Sequence, residues 1–220
     1  MIIDEFIAAS VPQVQPGQTG NEVLALMDDS QLTQLPVVAG EQYLALLREQ
    51  DLMDWTSPQL AVSQSGLLAF KPAILSHSHP LQAWRLAVQH ELDVIPIVSK
   101  EGQYTGAVTR QALMEYVSEN TGYRQPGGVL VLAMKRSHYS LSELAQIAES
   151  EDVSITSVGM TEPNENGEVE VALKTNSTDL SALIASLERH DYHVLHIFGA
   201  EHSQDDLMSR YQLLMNYINM

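Results

Sequence analysis

Hydrophobic and polar positions run through the same course twice in the first half of the chain. A helical stretch, GNEVLALMDDSQLTQ (20–34), sets Val23, Leu26 and Met27 on one face. Another, LQAWRLAVQHELDV (81–94), does so with Leu81, Trp84 and Val88. Each precedes an apolar run with a proline, a polar turn, a second apolar run and a helix start. These are LPVVAGEQYLALLREQDL (35–52) and IPIVSKEGQYTGAVTRQAL (95–113), the first with one residue fewer in its turn. The pattern predicts helix, strand, turn, strand, helix, repeated at about 60 residues, with the copies packed on each other because neither buries its apolar face alone. Pro36 and Pro96 each sit one residue into a strand and are expected at strand starts or edges. Residues 53–72 join the copies and are expected to hold the first unit's closing helix and the entry to the second.

Beyond residue 120 the pattern changes. NTGYRQPGG (120–128) reads as a linker. VLVLAM (129–134) reads as a buried strand. SLSELAQIAESE (140–151) reads as a helix capped by Ser140, with Leu141, Leu144, Ile147 and Ala148 on one side. VSITSVGMT (153–161) and VEVALKT (169–175) read as strands joined by the hairpin turn EPNENGE (162–168). TDLSALIASLERHD (178–191) reads as a helix opening at Thr178, with Leu180, Leu183, Ile184 and Leu187 as its stripe, and YHVLHIF (192–198) as a last strand. The order βαββαβ is that of a ferredoxin-like sandwich. The tail, SQDDLMSRYQLLMNYINM (203–220), is amphipathic. Its stripe of Leu207, Tyr211, Leu214, Met215 and Ile218 suits either this domain's open face or another subunit, and Asp205 and Asp206 suit a helix start.

Charge narrows the partners. Against 11 Lys and Arg stand 28 Asp and Glu, a formal charge of −17, which repels a phosphate backbone and argues against nucleic acid. Few cations are left for a phosphorylated ligand, although one arginine offers a planar fork of donors. With no cysteine, disulfides, thiolate metal sites and cysteine nucleophiles are excluded. The start, MIIDEFIAAS, is acidic where a signal peptide needs a basic region, and no run approaches the roughly 18 apolar residues of a membrane span. A soluble, cytoplasmic protein is expected.

The residues LPVV and REQDL in the first copy, and IPIV, YTGAVT and RQAL in the second, make the repeat similar to a cystathionine-beta-synthase (CBS) domain. The two copies together resemble a CBS pair, or Bateman module, over roughly residues 1–120. By element order, residues 128–199 resemble an ACT domain, a small regulatory βαββαβ module. The combination is similar to bacterial proteins of the acetoin-utilisation AcuB type and to uncharacterised CBS-domain proteins. The fold class expected is α/β (α+β), with tandem CBS domains, a ferredoxin-like ACT-like domain and a C-terminal helix. The domains are expected at 1–62 and 63–120 for the CBS copies, 121–128 for the linker, 129–199 for the ACT-like domain and 200–220 for the helix. The resemblance implies a non-catalytic regulatory homodimer sensing a ligand such as AMP, ATP or S-adenosylmethionine, with no resident cofactor and its output through an unidentified protein partner. A structural or interaction module with lapsed ligand sites is the alternative.

In ligand-binding CBS copies the pattern is Gly-x-x-Thr/Ser-x-x-Asp. The glycine admits backbone close to the ligand, the hydroxyl meets phosphate, and the carboxylate matches the ribose diol. The second copy reads Gly106, Thr109, Ala112: it has the glycine and hydroxyl but lacks the acceptor. The first reads Ala45, Arg48, Asp51: the carboxylate remains, and Arg48 stands where the hydroxyl would be. Arg48, Asp51, Gly106 and Thr109 are therefore the candidate nucleotide contacts, with Arg48 and Asp51 the stronger pair. The plainer roles are a pairing of Arg48 with Glu49 or Asp51, or with water, and an N-cap at Thr109. Amino-acid-binding ACT domains carry Asp-x-Pro-Gly-x-Leu after the first strand. The stretch KRSHYSL (135–141) matches only at Leu141, which favours sheet-to-sheet pairing of subunits over amino-acid binding.

Other chemistry finds little footing. His77 and His79 lie on one side if extended, with His90 near in sequence, but no carboxylate stands at a diagnostic spacing. In an extended strand His193 and His196 would face opposite ways. The chain has no HExxH, no phosphate-binding GxxxxGK[ST], no GxGxxG and no nucleophile elbow, so no catalytic residue and no metal site is assigned. Trp55 and Trp84 read as packing anchors.

Overall fold

The computed structural model describes residues 2–199, and the helix expected over 200–220 lies outside them. The chain forms two compact units, Met1–Val117 and Ser118–Met220.

In the first unit the repeat extends to the helix caps. Helix α1 (Gly20–Ser30) opens with a capping box: the Thr19 hydroxyl accepts from the Glu22 amide at 3.2 Å, and the Glu22 carboxylate accepts from the Thr19 amide at 2.7 Å. Helix α3 (Pro80–His90) opens on His79, whose Nδ1 accepts from the Leu81 amide at 3.2 Å, with Pro80 in the first turn. Both helices end on a left-handed residue, Gln31 and Glu91, followed by a leucine amide bonded back to Met27 or Ala87. That closure stops each helix about four residues short of the hydrophobic pattern, because Leu32 and Leu92 turn inward. The buried face of α3 is Ala83 and Ala87; Leu81 and Val88, expected on the packing stripe, are 53% and 67% exposed. Small residues there allow the helix to lie close to its sheet.

Strands β1 (Gln34–Ala39) and β2 (Gln42–Arg48) form one antiparallel pair, and β4 (Val94–Val98) and β5 (Tyr104–Thr109) the other. A bulge follows Val37 and, at the matching place, Ile97. The short β3 (Ile74–Leu75) runs parallel to β4, while Val14 makes the equivalent bridge to Val37. Pro96 thus lies in a middle strand, not at an edge. It is tolerated because β3 pairs only with Ile97 and Val98, so the missing N–H forfeits no ladder bond. The closing helix α2 (Glu49–Met53) lies almost wholly before residues 53–72, which hold two short 3-10 turns instead. Helix α4 (Arg110–Asn120) closes the second copy.

The copies meet about an approximate two-fold axis. The Tyr43 amide donates to Gly102 O at 3.2 Å, the Tyr104 amide to Glu41 O at 2.7 Å, and the two rings stack at 6.4 Å. Buried Gln34 joins the copies: its Oε1 accepts from the Asp93 amide at 2.9 Å and its Nε2 donates to Glu91 O at 3.0 Å. The leading segments cross over. Ile3 and Phe6 pack in the core of the second copy, while Leu67 and Leu68 pack on the core of the first.

The second unit is β6 (Val129–Lys135), α5 (Leu141–Ser150), β7 (Ile155–Met160), β8 (Glu168–Thr175), α6 (Ser181–Arg189) and β9 (His193–Phe198). Its antiparallel sheet has the order β7-β8-β6-β9, the ferredoxin-like arrangement. Leu130, Leu132, Val171 and Leu173 face Leu144, Ile147, Leu183 and Leu187 across one core. Ser140 caps α5, but α6 does not open on Thr178; the Asp179 carboxylate accepts from the Ser181 amide at 3.1 Å. A bulge in the β6–β9 ladder sets His196 opposite Val131 and His193 opposite Ala133. The two histidines therefore share a face, where unbroken alternation would separate them.

Candidate functional site

Arg48 ends β2 and stands at the N-cap of α2, so the register of β1–β2 fixes its backbone opposite Gln34. Its side chain takes none of the plainer roles. The guanidinium carbon lies 4.0 Å from the centroid of the Phe70 ring, and Nη2 donates to His90 O at 3.4 Å, reaching into the second copy. The His90 ring meets the same Phe70 edge-on at 6.1 Å. Arg48 Nε is buried without a hydrogen-bond partner, alone in this among side-chain nitrogens and oxygens of the described residues. Asp51, three residues on, falls on the same side of the α2 turn. Its half-buried carboxylate makes no hydrogen bond or ion pair among the described residues.

Gly106 and Thr109 have different surroundings. Gly106 is buried in β5 at φ +155°, and a Cβ there would stand 2.6 Å from Ile7 Cγ2. The Ala8 amide donates to Ala107 O at 2.9 Å, so the leading segment lies directly on this strand. The space left by the glycine is filled by the chain itself. Thr109 Oγ accepts from the Ala112 amide at 3.2 Å, as an N-cap of α4. The structure thus places the Arg48 side chain at the boundary between the copies, with Asp51 three residues on in α2, and gives Gly106 and Thr109 local partners of their own.

Sequence reasoning missed Phe70, the His90 carbonyl, Ile7 and Gln34. Phe70 and Ile7 sit in the joining and leading segments, outside the repeated pattern. Gln34 could have been noticed as a polar residue at the head of an apolar strand.

The histidines serve separately. Exposed His77 donates from its amide and Nδ1 to the Asp4 carboxylate at 2.6 and 3.2 Å, and the Ser76 hydroxyl donates to the same carboxylate at 2.5 Å. Serine and histidine both give protons to the aspartate, which is an anchor for the N-terminal turn and not a nucleophile–base relay. His79 caps α3, and its Nε2 lies 3.4 Å from the Tyr116 hydroxyl. Among the described residues no group of three His, Cys, Asp or Glu could hold a metal ion, and no helix is long and apolar enough to cross a membrane. An open cavity of about 380 Å³ between β3 and α3 is lined by Leu75, Gln82, Arg85 and Gln89 among others, and touches none of the four candidate residues.

No family model matches the chain. An inosine-5'-monophosphate dehydrogenase of Korarchaeum cryptofilum is 23% identical over 156 residues, 70% of this chain and 32% of that protein, so the chain spans about a third of its curated relative. A CBS domain pair/ACT domain protein of Thermotoga maritima superposes with a TM-score of 0.50 at 20% identity, covering 54% of this chain and 98% of that one. A CBS-pair protein of Arabidopsis thaliana gives 0.48 at 18% identity, with 54% and 94% covered. The likeness to the Thermotoga protein shows the fold: the paired repeats of the first unit are arranged as in a tandem CBS pair.

Proposed function

We propose that the chain is a non-catalytic regulatory protein whose first CBS copy binds an adenine nucleotide at Arg48 and Asp51. The observation that carries this reading is the buried, partnerless Nε of Arg48. A buried guanidinium donor without an acceptor costs about 1–3 kcal/mol, and a phosphate oxygen is the acceptor its planar fork suits best. The neighbouring Asp51 carboxylate has acceptor capacity for a ribose diol. Arg48 also touches His90 of the second copy, so occupancy of the first copy would bias how the two copies sit. That is linkage without catalysis. In the second copy Gly106 is covered by Ile7 and the Thr109 hydroxyl caps α4, which supports one site per pair.

The element order of the second unit supports an ACT-like module, and the whole is read as an AcuB-type arrangement. The missing Pro-Gly in residues 135–141 favours subunit pairing over amino-acid binding, and a cytoplasmic homodimer acting through another protein is the matching assembly. The covering of Gly106 also favours the alternative, a structural module with lapsed sites. Titration calorimetry of AMP, ATP and S-adenosylmethionine into nucleotide-stripped protein separates the two. Micromolar binding lost in both Arg48→Ala and Asp51→Ala supports sensing. No heat and no thermal stabilisation by any of the three would sink it.

A further inference from the structure

We propose that the groove between β3 and α3 binds an extended, acidic segment of another protein, which adds to the free edge of β3 as a further strand and sets a carboxylate on Arg85. Strand β3 pairs with β4 alone, so its other edge is open. The Ser76 amide donates to Val98 O at 2.9 Å, and alternation along the strand therefore turns the Leu75 amide away from β4. Leu75 O accepts from the Ser78 amide at 3.2 Å, but the Leu75 amide has no partner among the described residues. An unpaired strand edge is a template for another strand. This edge opens into the cavity of about 380 Å³, which has buried Ile74 and half-buried Leu86 at its base and Gln82, Arg85 and Gln89 along α3. Gln82 to Gln89 rise about 10 Å along the helix, the length of about three extended residues.

The first copy shows what the fold itself requires here. Val14 bridges to Val37 as Ile74 pairs with Ile97, which aligns the copies position for position. Residues 21–30 and 81–90 then follow one order of buried, half-buried and exposed positions. The residues at the exposed positions nevertheless differ in kind. Arg85 stands where the first copy has Ala25, and Gln82 and Gln89 stand where it has Glu22 and Asp29. On the strand, Ala73 and the 48% exposed Leu75 replace Gln13 and Gln15. One groove is thus polar with two carboxylates, and the other is apolar at its strand with one cation and no carboxylate. Packing makes the same demand of both helices, so a difference at solvent-facing positions points to something outside the fold.

Charge and main chain together identify the occupant. Of the arginines among the described residues, Arg85 alone makes no hydrogen bond, ion pair or ring contact. On a chain of formal charge −17 it is a cation left free for a carboxylate, while the rest of the surface repels an acidic partner and so favours binding in this register. The open main chain of β3 is met only by another extended main chain, with alternate side chains falling into the groove. A helix face of a second copy is the rival occupant. Its main-chain groups are bonded within the helix and would leave the edge of β3 unmet.

The test offers the full chain a phage-displayed library of random heptapeptides, and measures the enriched peptides, resynthesised, by fluorescence anisotropy. The expected peptides alternate apolar residues with Asp or Glu. Their affinity should fall at least about tenfold in a triple variant, Ala73→Gln with Leu75→Gln and Arg85→Ala. That variant writes the first copy's residues at the matching positions, so the fold already carries these side chains there, and circular dichroism checks it. N-methylation of the peptide main chain should weaken binding by a similar factor, and bound peptide should slow exchange of the Leu75 amide at least about tenfold. No enriched peptide, equal binding to the triple variant, unaffected binding of the N-methylated peptide or an unprotected Leu75 amide would overturn the proposal. So would a parent dimer in sedimentation velocity that the triple variant lacks, which would assign the face to a second copy.

Discussion

Substituting Gly106→Ala puts a methyl group where the leading segment already lies. Two costs add. The backbone at φ +155° is one that side-chain-bearing residues rarely adopt, at about 1–3 kcal/mol. The new Cβ would also approach Ile7 Cγ2 to 2.6 Å and Cδ1 to 3.1 Å. Overpacking ordinarily costs about 1–3 kcal/mol, and the low end applies because Ile7 is 37% exposed and its end can swing outward. The expected loss is about 3 kcal/mol, of which about 1 kcal/mol belongs to the clash and should appear as coupling in a double-mutant cycle with Ile7→Ala. Both tryptophans, Trp55 and Trp84, pack in the first unit, so urea unfolding followed by their fluorescence reports that unit. With a slope near 2 kcal/mol/M the midpoint should fall by about 1.5 M. The first copy supplies a control: at the matching position Ala45 is fully buried, and Ala45→Gly should cost only about 1 kcal/mol. A Gly106→Ala midpoint within about 0.3 M of the parent, or a cycle with no coupling, would refute the argument that Ile7 and the backbone together demand glycine.

Gln34→Leu strands the Asp93 amide and the Glu91 carbonyl at the seam between the copies, and should lower first-unit stability by about 2–4 kcal/mol in the same urea assay; a change under about 0.5 kcal/mol would contradict that role. At Asp4 partial burial works to raise the carboxyl pKa, but the Ser76 hydroxyl and the His77 amide and ring outweigh it, and the pKa is lowered below 3.8. A depressed folded value means stability present above the ordinary pKa and lost as pH falls through the folded one. The parent should therefore outlast Asp4→Asn in thermal melts near neutrality, with the gap closing toward about pH 3 and below. Burial pushes Tyr104 up to about 12, and burial followed by the Glu143 carboxylate does the same at Tyr192; Tyr43 is raised further by burial beside Tyr104. The fold holds these phenols neutral, so stability should fall as pH climbs past the ordinary value of 10.0. In a spectrophotometric alkaline titration Tyr192→Phe should remove one late-ionising group and leave the early ones unchanged.

The sequence carried the repeat well because both copies keep the same signals at the same spacing. A capped helix, a proline-bearing strand, a turn and a return strand recur at about 60 residues. Periodicity was a poorer guide to which helical face is buried. In α3 the larger Leu81 and Val88 point out while Ala83 and Ala87 pack, because closeness of approach outranked side-chain size. Alternation failed at β9 for a local reason, the bulge that puts His193 and His196 on one face. At the candidate site the sequence supplied Arg48 and Asp51 but not their setting. Phe70 and Ile7 come from segments outside the repeat, and no one-dimensional pattern announces that a distant stretch of chain will lie on a given strand.

That crossing of segments changes what counts as a unit in this chain. The piece preceding the first copy completes the second: Ile3 donates its amide to Ser78 O, and Asp4 holds Ser76 and His77. The piece preceding the second copy completes the first, with Phe70 O accepting the Leu46 amide and Pro72 O the Tyr43 hydroxyl. Order along the chain and order in space disagree, as in a dimer that has exchanged its arms and then been stitched into a single polypeptide. Because both arms belong to one polypeptide, each supplies the other copy at high effective concentration, and the two need not be alike. One now carries Ile7 to lie over a glycine, and the other carries Phe70 to lie over an arginine. The two copies are thereby unequal in their surroundings while each still rests on the arm that precedes the other.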